Sequence, residues 1–243
     1  MTALVIAVSM AVLAPQPLPA PELLIGVAYD ASPSLPDAVV ISDLREMRRA
    51  GYNILFVDDP KSRDRLGGPA VAERIPVIDA IPPEAVRISV GAGAPAVSEA
   101  RLALWEAIAA GHRAVVFETP GRRFTQELRA LGESAGIITR NQALFMPMRP
   151  RKSGVVSIDG EGGAPVDVKL MESRDAIVII ATNRATVPRK VTITFNPDIP
   201  EAIWQNMESG TSIDFVMGST GPVFEHTFAA RDALVLMIRK RFR

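Results

Sequence analysis

Asp30, Asp58, Asp59 and Glu118 each stand at the end of a short apolar run, in LLIGVAYD, NILFVDD and RAVVFE. Runs of this kind form strands buried on both faces, and the carboxyl ends of parallel strands are where such sheets gather their active sites. Neighbouring strands can bring two of these carboxyl groups together, and mutual repulsion then raises the proton affinity of one, as general acid catalysis requires. The expected working pair is Glu118 with Asp58 or Asp59 as acid and base. Asp30 and Tyr29, at the mouth of the first run, are the expected ligand contacts, Tyr29 through the face of its ring. The competing reading of the same acids is structural, because a strand-end carboxylate also caps the next helix or simply meets water.

Other reactive residue types carry less. His112 and His226 are isolated, with no HExxH or comparable spacing around them, so neither a zinc site nor a Ser-His nucleophile is expected and both read as surface or turn residues. GEGG and GAG are glycine-rich turns that match no phosphate loop. No metal and no cofactor is therefore expected. Trp105 is expected to pack its helix against the sheet or to lie beside Arg101 one turn earlier, and Trp204 to sit in a β core.

Lys plus Arg equals Asp plus Glu at 27 each, so nothing in the overall charge draws the chain to nucleic acid or to an acidic membrane surface. The absence of cysteine excludes disulfides and thiolate chemistry. At 243 residues and 48% hydrophobic content, two packed domains are expected. Residues 3–15 form an apolar run followed by small residues and prolines, without Lys or Arg before it. Residues 1–20 thus resemble a secretory leader, which implies an extracytoplasmic location; the alternative is a buried first strand. The run is short for a bilayer span, and no later segment could cross one.

The elements that must position the acids follow from periodicity. After the first strand, Asp37 can cap a helix with Val40, Leu44 and Met47 on one face, closed by Gly51. NILFVDD is a second strand ended by Pro60. KSRDRLGGPA reads as loop, and three prolines in VAERIPVIDAIPP argue against a long helix in the segment 61–83. A third strand is expected over 85–90, then a helix capped by Ser98 with Ala100, Leu104 and Ile108 inward, a fourth strand over 113–118, and a helix in FTQELRALGESAG. This alternation implies a parallel sheet with helices packed on it, over residues 21–146. Beyond a PMRPRKSG linker the period becomes two, with Val191, Ile193 and Phe195 opposed to Thr192 and Thr194. Residues 147–243 therefore read as a small antiparallel β-sandwich of about seven or eight strands.

ISDLREMRRAGYNILFVDD resembles the first helix and second strand of glycoside hydrolase (β/α)8 barrels of the β-galactosidase-like kind. SEARLALWEAIAAGHRAVVFETPG is similar to their last helix and strand, with Arg101, Trp105, Ala107 and Gly111 in an R-x-x-x-W-x-A-x-x-x-G pattern. The tail, with IVIIATNRATVPRKVTITF and AARDALVLMI, is similar to the sandwich that follows those barrels. A complete barrel takes about 250 residues, and residues 23–138 supply less than half of that. The resemblance thus implies α/β plus all-β architecture: a truncated TIM-barrel-like sheet made of the first two and last two strands, then the sandwich.

In the family the catalytic carboxylates follow the fourth and seventh strands. The strand that corresponds to the seventh ends here on Gly91, Ala92 and Gly93, and the fourth has no counterpart, so neither group carries over. The expected function is a degenerate, non-catalytic relative that binds or scaffolds carbohydrate. The alternative is a residual hydrolase using Glu118 with Asp58 or Asp59, which requires two carboxyls about 5 to 9.5 Å apart across an open cleft. Tyr29 would then stack on a sugar ring, with Asp30 beside it. The open sheet edges must be covered by the sandwich, by the segment 61–83 or by a second copy in a homo-oligomer. Eight strands, or helices on both faces of the sheet, would contradict this expectation.

Overall fold

The computed structural model describes residues 23–160, 166–199 and 203–240; the leader-like segment 1–20 lies outside them. Strand β1 (Leu24–Ala28) sits at the centre of a parallel sheet. On one side of it run β2 (Ile54–Phe56) and β3 (Val77–Ile78), and on the other β5 (Ala114–Glu118) and β4 (Val86–Ser89), giving the order β3-β2-β1-β5-β4. From β1 to β2 to β3, and from β4 to β5, the chain steps in the same direction. Right-handed crossovers then put every helix on one face, as in a barrel wall and unlike a doubly wound sheet.

Helices α1 (Asp37–Ala50), α2 (Pro60–Ala72), α3 (Ala94–Ala109) and α4 (Gln126–Arg140), followed by the single turn α5 (Gln142–Phe145), follow that rule. Ile25, Val27, Leu55, Val115 and Phe117 share one core with Val40, Leu44, Leu66, Leu104 and Leu131 from the helices. The opposite face, with Ala28, Ile54, Phe56 and Val116, is closed by Ile81 and Ala85 of the crossing segment 79–85. The sheet is an arc, whose concave side is filled by this strap. Gly26 on that side leaves no room for a side chain, since a Cβ there would lie 2.5 Å from Ile54 Cγ2.

Five strands are present where four were expected, because β3 emerges from the segment 61–83 and extends the edge beyond β2. The same segment corrects a second expectation: KSRDRLGGPA is helical, as most of α2. Asp59 caps that helix and Pro60 occupies its first turn, where the missing N–H costs nothing. Two caps also move. Asp37 lies inside α1, with Pro36 before it, and α3 starts at Ala94, with Gly93 before it and Pro95 in its first turn, so Ser98 is helical. Gly51 does close α1, at φ 99°.

The remaining strands make two antiparallel sheets face to face. β12 (Ser212–Asp214), β11 (Ile203–Asn206), β15 (Asp232–Arg239), β9 (Ala176–Asn183), β8 (Asp167–Glu172) and β6 (Arg149–Pro150) form the six-stranded sheet. β13 (Val216–Met217), β14 (Pro222–Phe228), β10 (Arg189–Phe195) and β7 (Val155–Gly160) form the four-stranded one. That is more strands than the seven or eight expected, and part of the supposed linker is β6. Alternation on β9 and β15 shows how the halves join. Ile177, Ile179, Leu234 and Leu236 face the second sheet, while Val178, Ile180, Ala233 and Val235 enter the helix core against α3. His226 is not a turn residue: it lies half-buried in β14, stacked on Phe224 at 5.6 Å.

Candidate functional site

At the carboxyl ends of β1 and β2 lies a cleft of about 270 Å3 lined by Tyr29, Asp30, Asp58, Asp59, Ser62 and Arg122. Its walls are fixed by backbone bonds: Tyr29 N donates to Phe56 O, and Asp30 N to Arg122 O at 3.0 Å. The Thr119 hydroxyl donates to Arg123 O and accepts from Arg123 N, which closes the turn after β5 and carries Arg122 across to β1. Arg122 itself is left-handed at φ 50°.

Each cleft carboxylate has its own partner. Asp58 Oδ2 is 2.6 Å from Arg122 Nη1. Asp59 Oδ2 accepts from Ser62 N at 2.8 Å, and Asp30 Oδ1 accepts from Ser62 Oγ at 2.8 Å, so one buried serine bridges the ends of two strands. The bonds from Ser62 hold Asp59 below the usual carboxylate range. Glu118 is not in the lining of this cleft; it faces Arg87 of β4 at 3.4 Å. The acid pushed above its usual range is Asp43 on α1, where burial is the main cause. It accepts a bond from the Tyr29 hydroxyl at 2.8 Å, and burial raises that phenol well above its ordinary value. With 1% exposure the Tyr29 ring has no free face, which corrects the expectation that it stacks on a sugar.

The arrangement brings Asp30, Asp58 and Asp59 together and leaves Glu118 with a different cation. It offers hydrogen-bond acceptors from three carboxylates beside one guanidinium, a surface able to hold polar hydroxyls. Arg122 and Ser62 are the functional residues missed from sequence. Ser62 was within reach, because Asp-Pro-x-Ser is a helix start with the serine N–H pointing back at the cap. Arg122 depends on the turn carrying it 64 positions back along the chain to Asp58, which has no local signature.

The cap gives a direct check. Asp59→Ala is expected to lower the thermal midpoint at neutral pH. A carboxylate depressed in the folded state stabilises above its unfolded value, about 3.9, and loses that contribution as pH falls through the lower folded value. The gap between wild type and variant should therefore narrow in scans taken progressively below that range.

Among the described residues no group of His, Cys, Asp and Glu could hold a metal ion, and no helix is long and apolar enough to cross a membrane. No protein-family model and no curated protein matches the chain. Solved structures do. A glycoside hydrolase family 5 structure from Bacteroides vulgatus superposes with a TM-score of 0.57 at 10% identity, over 90% of this chain and 89% of that one. An α-amylase from Geobacillus thermoleovorans gives 0.45 at 9% identity, over 85% of this chain and 64% of the amylase. A GH30 endoxylanase from Clostridium papyrosolvens gives 0.35 at 10% identity, over 78% and 49%. The chain thus spans less than two thirds of the amylase and about half of the endoxylanase. The first of these likenesses establishes the fold: a partial α/β barrel followed by a β-sandwich-like domain.

Proposed function

We propose that this chain is a non-hydrolytic carbohydrate-binding relative of glycoside hydrolases, whose barrel has been reduced to an arc, and that the cleft at Asp30, Asp58, Asp59 and Arg122 is where saccharide docks. The observation that carries the reading is the pairing of the rim carboxylates. Hydrolysis of a glycosidic bond needs two carboxyl groups facing each other across the bond. Here Asp58 meets Arg122, Asp59 and Asp30 meet Ser62, and Glu118 meets Arg87. The carbohydrate assignment rests on fold-level analogy and on the cleft's polar lining. The leader-like residues 3–15 favour work outside the cytoplasm, which the amino-terminal sequence of exported material would check.

Affinity electrophoresis through gels cast with soluble starch or xylan, together with a panel of aryl glycosides, tests the reading. Retardation by at least one polysaccharide, lost in Asp58→Ala, and no turnover of the glycosides are the expected outcomes. Absence of retardation, or retardation indifferent to Asp58→Ala, overturns it. Turnover that vanishes in Glu118→Gln would replace it with the hydrolase reading.

A further inference from the structure

At the other end of the strands, three helices finish close together and leave a cleft of about 510 Å3. Its lining includes Arg48 and Arg49 from the last turn of α1, Arg74 just after α2, and Thr139, Arg140 and Gln142 from the junction of α4 and α5. Among the described residues no acidic one lines it. Many arginines elsewhere are paired with carboxylates, among them Arg45 with Glu73, Arg63 with Asp79, Arg65 with Asp37, Arg87 with Glu118 and Arg129 with Glu46. Arg48, Arg49, Arg74 and Arg140 have no such partner among the described residues, in a molecule whose total charge is zero.

The helix dipole accounts for part of this, since cations are favoured near carboxyl ends. It does not account for Arg74. That residue follows the end of α2 in the left-handed conformation, φ 56°, the place where Gly51 serves α1. Glycine takes this conformation freely, whereas a residue with a Cβ gives up about 1 to 2 kcal/mol there. The chain accepts that cost and adds a fourth positive charge to an already repulsive cluster. A guanidinium is a rigid fork of donors suited to phosphate oxygens, and the cleft volume falls in the usual small-ligand range.

We propose that this cleft is an anion site for a small phosphorylated ligand, held by Arg48, Arg49, Arg74 and Arg140 at the amino-terminal end of the sheet, remote from the saccharide cleft and independent of it. The ligand is a dianionic phosphate group, free or carried on a sugar. Its attraction is screened by salt because all four arginines are exposed.

The test is calorimetric titration of the whole chain with inorganic phosphate, pyrophosphate, glucose 6-phosphate and glucose. Saturable binding of the phosphorylated probes and none of glucose is expected, weakened about ten-fold or more in Arg74→Gly and in Arg49→Gln/Arg140→Gln. Arg74→Gly relieves the backbone, so it should fold at least as well as wild type, and lost affinity cannot be put down to misfolding. Arg63→Gln, likewise exposed but outside the cleft, should bind as wild type does. Glucose 6-phosphate binding more tightly than phosphate identifies a sugar-borne group; equal binding identifies the free oxyanion. No saturable binding, or binding that is unchanged in both cleft variants or falls equally in Arg63→Gln, overturns the proposal.

Discussion

Gly132→Ala is expected to destabilise the protein although alanine is the better helix former. A Cβ at position 132 would lie 2.4 Å from Ala50 Cβ and 2.8 Å from Ala50 O, where α4 crosses the end of α1. Two of the three nearest atoms are backbone, so no side chain can swing aside. The helix-propensity gain of about 1 kcal/mol is set against overpacking of about 1 to 3 kcal/mol, and the unyielding backbone places the clash at the high end. Gly132→Val should cost more still, about 3 kcal/mol or above. Gly67 in α2 supplies the opposite case: nothing lies within 4 Å of its Cβ position and it does not directly precede Pro69, and Gly67→Ala should stabilise by about 0.5 to 1 kcal/mol. Urea midpoints of the three variants decide the matter, and a destabilised Gly67→Ala with a neutral Gly132→Ala would refute it.

The second large effect lies at Trp105. Its ring is fully buried and its Nε1 donates to Glu208 Oε1 at 2.9 Å. The same carboxylate accepts from Ser134 Oγ at 2.6 Å and from Arg101 Nη1 at 2.8 Å, and Arg101 reaches on to Asp232. Glu208 belongs to the turn between β11 and β12, so two helices of the arc and the sandwich are tied at one carboxylate. Trp105→Ala should cost about 3 to 5 kcal/mol, through lost volume and an acceptor left with one donor fewer. Trp105→Phe keeps most of the bulk and removes the N–H, and should cost about 1 to 3 kcal/mol. If Trp105→Phe and Glu208→Gln together cost the sum of their separate effects in denaturant titrations, the bond between them contributes nothing and this account fails.

What was legible in the sequence was whatever repeats locally. Val40, Leu44 and Met47 declare α1 by spacing alone, and Val191, Ile193 and Phe195 declare β10; both sets are buried. The helix α2 escaped because its buried stripe is Ser62, Leu66 and Ala70, one strong apolar residue among three, followed by Gly-Gly-Pro. Ser98 looked like a cap because Gly93 carries no side chain to advertise one. Glu127 of α4 supplies the oxygen instead, accepting from Gly93 N at 3.0 Å. At the site, the strand-end positions of Asp30, Asp58 and Glu118 could be read. Their partners could not, since Arg122, Ser62 and Arg87 reach them only through the fold. The Arg101 and Trp105 pair was visible as a helix face, but Glu208 lies more than a hundred positions away.

The strap over residues 79–85 marks an address for protein engineering. It occupies the hollow that further β/α units would enclose, and beneath it Ala28, Ile54, Phe56 and Val116 already form an apolar lining. Splicing additional units between β3 and β4 in its place would ask the scaffold to become a closed cylinder without altering the wall it already has.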